Sequence, residues 1–191
     1  SVLLSSITVI REKISAAYFR NYISPTSSAI FIVSTYLTNI LIIILQLVIV
    51  FGVMISINPG LSGVLANVSI ALLIITTTFI LLGMIVGYVF SSEETATVGS
   101  ISISTLLLFF SNTIVPLETL PAGFRQMANL NIFVVGESAL RKIILFDSTL
   151  KGIANELKIL AIYIVVFVLI IIILYRVSSE IYNIKKHLKG K

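Results

Sequence analysis

The sequence predicts an all-α polytopic membrane protein, a transmembrane helix bundle with an amphipathic cytoplasmic helix and a short outer re-entrant helical hairpin. Three observations predict it. Hydrophobic residues make up 58% of the 191 and charged ones 11%, with a mean hydropathy of +1.13, far from the composition of a soluble domain. No charge occurs between Arg20 and Glu93, a run long enough for two spans of ~20 residues each. A final segment, Leu157 to Tyr175, contains an unbroken apolar run bracketed by Lys158 and Arg176.

Each element follows in order. Ser1 to Ile10 opens without a methionine or a basic region, so it reads as the end of a transmembrane helix and not as a signal peptide, and further spans are expected ahead of it. Arg11 to Ser28 then interrupts the apolar sequence. As a helix from Arg11 to Ile23, it sets Ile14, Ala17, Tyr18 and Tyr22 on one face and Lys13 and Arg20 on a flank, the pattern of a helix lying at a membrane surface. The Ser24-Pro25 step ends it. Spans are expected over 29–56 and 64–90, with the turn between them supplied by Asn58-Pro59-Gly60 and Ser62-Gly63. A polar loop, Ser91 to Glu94, leads to a third span over 97–115, less apolar and carrying Thr97, Ser100, Ser104 and Ser111 as a small-residue stripe suited to packing on a neighbouring helix. The last span covers 157–175, and 177–191 forms a basic tail.

Lysine and arginine flanking the spans set the orientation. Arg11, Lys13 and Arg20 on one side and Arg176, Lys185, Lys186, Lys189 and Lys191 after the last span place both ends in the cytoplasm of a multi-pass protein of the cell membrane. The outer segment over 116–156 holds Arg125, Arg141, Lys142 and Lys151, offset by Glu118, Glu137, Asp147 and Glu156. Within it, Pro116 and Pro121 punctuate PLETLP, and a helix starts near Pro121 and ends near Asn129 to Asn131. A second runs from Gly136 to Phe146, with Glu137 and Arg141 as an i, i+4 pair. At about ten residues each, roughly half a bilayer, neither can span, so both lie at the interface or dip in and return.

Composition and motifs also exclude functions. The net charge of +5 comes from basic residues at the ends of apolar runs, where they serve topology and lipid contact, so no nucleic-acid partner is expected. There is no cysteine, and the lone His187 sits in the basic tail, so no metal site is expected. No GxxxxGK[ST] and no HExxH occurs. The spans carry no ionisable side chain near mid-membrane, where ion-coupled carriers usually hold theirs. Energy is therefore expected from outside the bilayer, and no catalytic residue is assigned.

The ordered set of features resembles a known family. An REK-type amphipathic segment ending in Ser-Pro, two long spans, a short acidic loop, a span ending in Pro116-Leu117-Glu118 and Pro121, a Glu137-x-x-x-Arg141 helix and a final span are similar to the membrane (permease) subunit of type-2 ABC transporters, over its last four to five transmembrane helices. The chain departs from the family at Ala16-Ala17, where Gly-Thr is usual, at Asn131-Ile132, where Asn-Pro is usual, and at Asn112, where Gly often stands. The resemblance implies that 11–28 is a coupling helix docking on a separate ABC ATPase subunit, which would bind the ATP and magnesium, and that the outer hairpin dips into the membrane near the substrate exit. It further implies a second permease copy or paralogue as dimer partner.

On that basis the residues expected to contact the ATPase are Lys13, Tyr18, Arg20, Tyr22, Glu93 and Glu94, and Pro116, Pro121, Glu137 and Arg141 mark the outer re-entrant segment. Thr76, Thr77 and Thr78 with Asn112 are candidates to line a pathway, against the plainer alternative of interhelical hydrogen bonding. Gly83 and Gly87 form a GxxxG pair that permits close helix approach. The expected function is the permease half of an ATP-driven exporter. A membrane scaffold that uses the same segment only for docking is the alternative reading.

Overall fold

The computed structural model describes residues 1–14, 28–57, 63–111, 123 and 130–189, with backbone alone for 28–29 and 177–189. Among them the chain forms six helices: α1 (Val2–Ile14), α2 (Ser28–Ile57), α3 (Leu65–Val89), α4 (Glu93–Phe109), α5 (Ile132–Phe146) and α6 (Ala154–Lys189). Three contain stretches long and apolar enough to cross a membrane: Ile30–Ile57, Leu65–Val89 and Ala154–Arg176. The chain is an all-α polytopic membrane protein.

The bundle is assembled around α3, which touches every other helix. Its core joins Ile75, Ile80, Leu81 and Met84 of α3 to Val9 of α1, Ile43 of α2, Ile132 and Val135 of α5, and Leu160, Phe167 and Ile171 of α6. Helices α1 and α3 approach each other closely. A Cβ added to Gly87 would lie 2.7 Å from the Ser6 carbonyl oxygen and 2.7 Å from Val9 Cβ, and one added to Gly83 would collide with the Val2 backbone. Only glycine at both positions lets the backbones meet. Ser6 then donates to the Leu3 carbonyl at 2.9 Å and accepts from Ser100 Oγ at 2.7 Å, with both serines fully buried, so the small-residue stripe of α4 packs on α1 at this point.

Several boundaries differ from those the sequence suggests. Helix α1 runs on through Arg11, Glu12 and Lys13 to Ile14, so the first four residues of the helix expected over 11–23 continue α1, and 15–23 lie outside the described residues. Helix α4 begins at Glu93, because the Ser92 side chain accepts from the Thr95 amide as an N-cap and because two acids in the first turn suit the helix dipole. It ends at Phe109, short of 115, and its 17 residues span about 25 Å. Helix α5 begins at Ile132, four residues ahead of Gly136, because Asn131 caps it. Its 15 residues reach about 22 Å, still less than a bilayer. Helix α6 continues beyond its apolar part to Lys189. The turn over 58–62, residues 112–122 and most of the expected helix between Pro121 and Asn131 lie outside the described residues.

Overpacking at the α1–α3 contact carries a clear expectation. Gly87→Leu should cost about 1–3 kcal/mol or more, or prevent folding, since the atoms in its way are backbone and a branched carbon. Gly52→Leu, with nothing within 4 Å of an added Cβ, should leave the thermal unfolding of the detergent-solubilised protein unchanged.

Candidate functional site

Two places gather polar chemistry in this apolar bundle. The first is the end where α1 and α3 finish and α2 and α4 begin. Three consecutive charged residues close α1, and because successive side chains on a helix point about 100° apart, each meets a different neighbour. Arg11 Nε and Nη2 donate to Glu93 Oε1 and Oε2 of α4 at 3.2 and 3.4 Å. Glu12 accepts from the Thr35 hydroxyl of α2. Lys13 Nζ donates to the carbonyls of Gly87, Tyr88 and Phe90 at 3.2, 3.2 and 2.9 Å, holding the end of α3. A cation there completes unpaired carbonyls and opposes the negative end of the helix dipole.

Behind this triplet a polar seam continues between α1 and α2. Thr8 Oγ1 donates to the Leu4 carbonyl at 2.9 Å and lies 3.4 Å from Asn39 Oδ1, and Asn39 Nδ2 donates to the Thr35 carbonyl at 2.8 Å. Thr35 and Asn39 are buried. Burial pushes the Glu12 carboxyl above its ordinary value, against the pull of the Thr35 hydrogen bond, and burial pulls the Lys13 ammonium below its own.

Sequence reasoning placed Lys13, Tyr18, Arg20, Tyr22, Glu93 and Glu94 together as contacts for a partner subunit. Tyr18, Arg20 and Tyr22 lie outside the described residues. The ammonium of Lys13 is held within the chain, and Glu93, part exposed, is paired with the exposed Arg11. Glu94 stands in the first turn of α4 and lines an open groove of about 330 Å³ with Phe90, Thr95, Val98 and Gly99.

The second place is the turn at Leu130 and Asn131. Asn131 Oδ1 accepts from the Phe133 amide at 2.9 Å and so caps the start of α5. Its Nδ2 donates to the Leu107 and Phe110 carbonyls at 2.7 and 3.2 Å, so the same side chain also closes the end of α4. Tyr163 of α6 donates to the Leu130 carbonyl at 2.7 Å, about 14 Å along α6 from its first residue. Phe133 meets Phe79, near the middle of α3, edge to face at 6.4 Å. These contacts tie the turn to α4 and α6 and seat the start of α5 beside α3, with Leu130 itself exposed.

Farther along α5, Arg141 pairs with Glu137, the i, i+4 partner expected of it. Lys142 Nζ and Ser138 Oγ both reach Glu156 Oε1, at 2.6 and 3.2 Å, and tie α5 to the start of α6. The three threonines of α3 bond first to their own helix: Thr76 to the Leu72 carbonyl, Thr77 to that of Leu73 and Thr78 to that of Ile74. Thr77 also meets the Tyr36 hydroxyl at 3.0 Å, and Thr78 is fully buried. Asn112, Pro116 and Pro121 lie outside the described residues. The interhelical contacts of Asn131 and Thr35 were not foreseen from the sequence. An asparagine directly ahead of an apolar run is a cap signal that could have found the first.

The class these features define is a membrane-embedded helical bundle with a charged end and a short helix, α5, packed beside α3 and α6. Residues 1–173 match the family model described as ABC-2 family transporter protein, and the chain belongs to that family. It is the membrane subunit of a type-2 ABC transporter. Neither the comparison with curated proteins nor that with solved structures gave a match.

The geometry yields two expectations for stability. Lys13→Met strips the donor from three carbonyls and should cost about 1–3 kcal/mol, whereas Glu93→Gln, at an exposed ion pair, should cost less than about 1 kcal/mol in the same thermal unfolding assay. For Glu12 the folded carboxyl binds its proton more tightly than the ordinary 4.5. Wild-type stability relative to Glu12→Gln should accordingly fall as pH rises from that value through the raised one, and level off above it.

Proposed function

We propose that this chain is the permease subunit of an ABC exporter, forming the substrate pathway with a second permease copy or paralogue and driven by a separate ATPase that binds ATP and magnesium. Family membership supplies transport as the task. The observation that carries the mechanism is the charged close of α1. Arg11, Glu12 and Lys13 hold α4, α2 and α3 respectively, immediately before residues 15–27. A partner that displaces this following segment thus acts on three helices through three adjacent residues.

The reading sets roles. Tyr18, Arg20 and Tyr22 are docking residues for the ATPase, on the cytoplasmic side of a cell-membrane protein whose C-terminus is also cytoplasmic. Arg11, Glu12 and Lys13 are the internal linkage behind them. Glu94, exposed beside its groove, is a second contact. The chain performs no catalysis of its own.

The test exploits the absence of cysteine from the sequence. Single cysteines at Ser15 and Arg20 of the full-length protein should cross-link to an ATPase subunit in membranes, and trapping ATP should change the yield. Arg20→Glu and Tyr18→Ala should lower export and its coupling to hydrolysis by about tenfold, the equivalent of losing ~1.4 kcal/mol of docking energy. Free cytoplasmic labelling at both positions with no adduct, together with normal export by both variants, overturns the proposal in favour of a membrane scaffold.

A further inference from the structure

We propose that Asn131 is a positioning residue for transport: its side-chain amide latches the far end of α4 to the turn before α5, so that α4 moves with α5 and does not swing free. This rests on the permease reading above and names a further part of the same machinery. Among the described residues helix α4 makes its firmest contacts near its start, where Glu93 meets Arg11, Ala96 is fully buried and Ser100 meets Ser6. Beyond Ser100 it presents Ile101, Leu106, Phe109 and Phe110 to the surroundings, and it touches α5 only slightly. Its last carbonyls have no following helical turn to supply donors. Asn131 Nδ2 supplies them to Leu107 and Phe110.

The anchor on the other side is firm. Asn131 Oδ1 is fixed by the Phe133 amide, the preceding carbonyl by Tyr163, and Ile132, Val134 and Val135 are buried. One amide thus joins a lightly held helix end to a packed one, by two hydrogen bonds and little apolar contact. Helix α4 runs from the charged end to this joint, so a displacement entering at Arg11 and Glu93 arrives at Asn131.

The experiment separates the two halves of the amide in the full-length protein with its ATPase. Asn131→Ser keeps a capping oxygen for α5 but removes the nitrogen that reaches α4, and Asn131→Ala removes both. Spin labels on cysteines at Leu106 and Leu145, both exposed, report the distance between α4 and α5. The wild type should give one narrow distance with and without trapped ATP. Both variants should broaden it toward longer values and cut transport by about tenfold, with ATP hydrolysis and the Ser15 cross-link retained. Asn131→Ser that matches wild type in distance and transport, whatever Asn131→Ala does, reduces Asn131 to a helix cap and overturns the proposal alone. A wild type that neither cross-links nor transports overturns the ATP-driven reading and this proposal with it.

Discussion

The backbone contact between α1 and α3 is the constraint on which the remaining structure depends. In hydrocarbon there is no general hydrophobic force to bring two helices together, so close packing and hydrogen bonds must do it. Gly83 and Gly87 remove the side chains that would hold the axes apart, and the Val2 and Ser6 backbones come into contact there. That approach brings Ser6 to Ser100, which seats α4, and carries the charged end of α1 under the last carbonyls of α3. With bulkier residues at the two glycines, Lys13 would stand too far out to hold them.

From this contact the molecule divides into a packed part and a loosely held part. Helices α3, α5 and α6 share a continuous core, reinforced by Lys142 and Ser138 on Glu156 and by the edge-to-face ring pairs Phe79 with Phe133 and Tyr88 with Tyr175. Helix α4 and most of α2 lie against that core with much of their surface uncovered. Polar bonds are concentrated where the two parts meet: Arg11 to Glu93, Thr35 to Glu12, and Asn131 to α4. Such contacts can be exchanged one hydrogen bond at a time, whereas an apolar core resists small displacements.

Much of the architecture was legible in the sequence because the bilayer enforces it. The charge-free run to Glu93 and the block before Arg176 left little freedom, and α2 and α3 fall within a residue of the expected bounds over 29–56 and 64–90. Cap chemistry was less visible. Ser92 and Asn131 decide where α4 and α5 begin, and each acts through one side-chain oxygen that hydrophobic periodicity ignores. The partners of Lys13 were not legible at all, since carbonyls carry no residue identity and these lie more than seventy positions away along the chain. The hydroxyls of Thr76, Thr77 and Thr78 are likewise silent in sequence, where a bond to the helix's own carbonyl and a bond across a pathway look alike.

Helix α2 adds a relation between the protein and its solvent. Its 30 residues measure about 45 Å against a hydrocarbon layer of about 30 Å, so it must lean or protrude, and the angle responds to bilayer thickness. The buried residues of this helix, Thr35, Asn39 and Ile43, lie between its start and just past its midpoint. Beyond Ile43, Leu47 and Phe51 pack partly buried against the rest of the bundle, while the polar contacts of the helix lie nearer its start. A change in the tilt of this helix would therefore bear on Thr35 and Asn39, the residues that join it to α1.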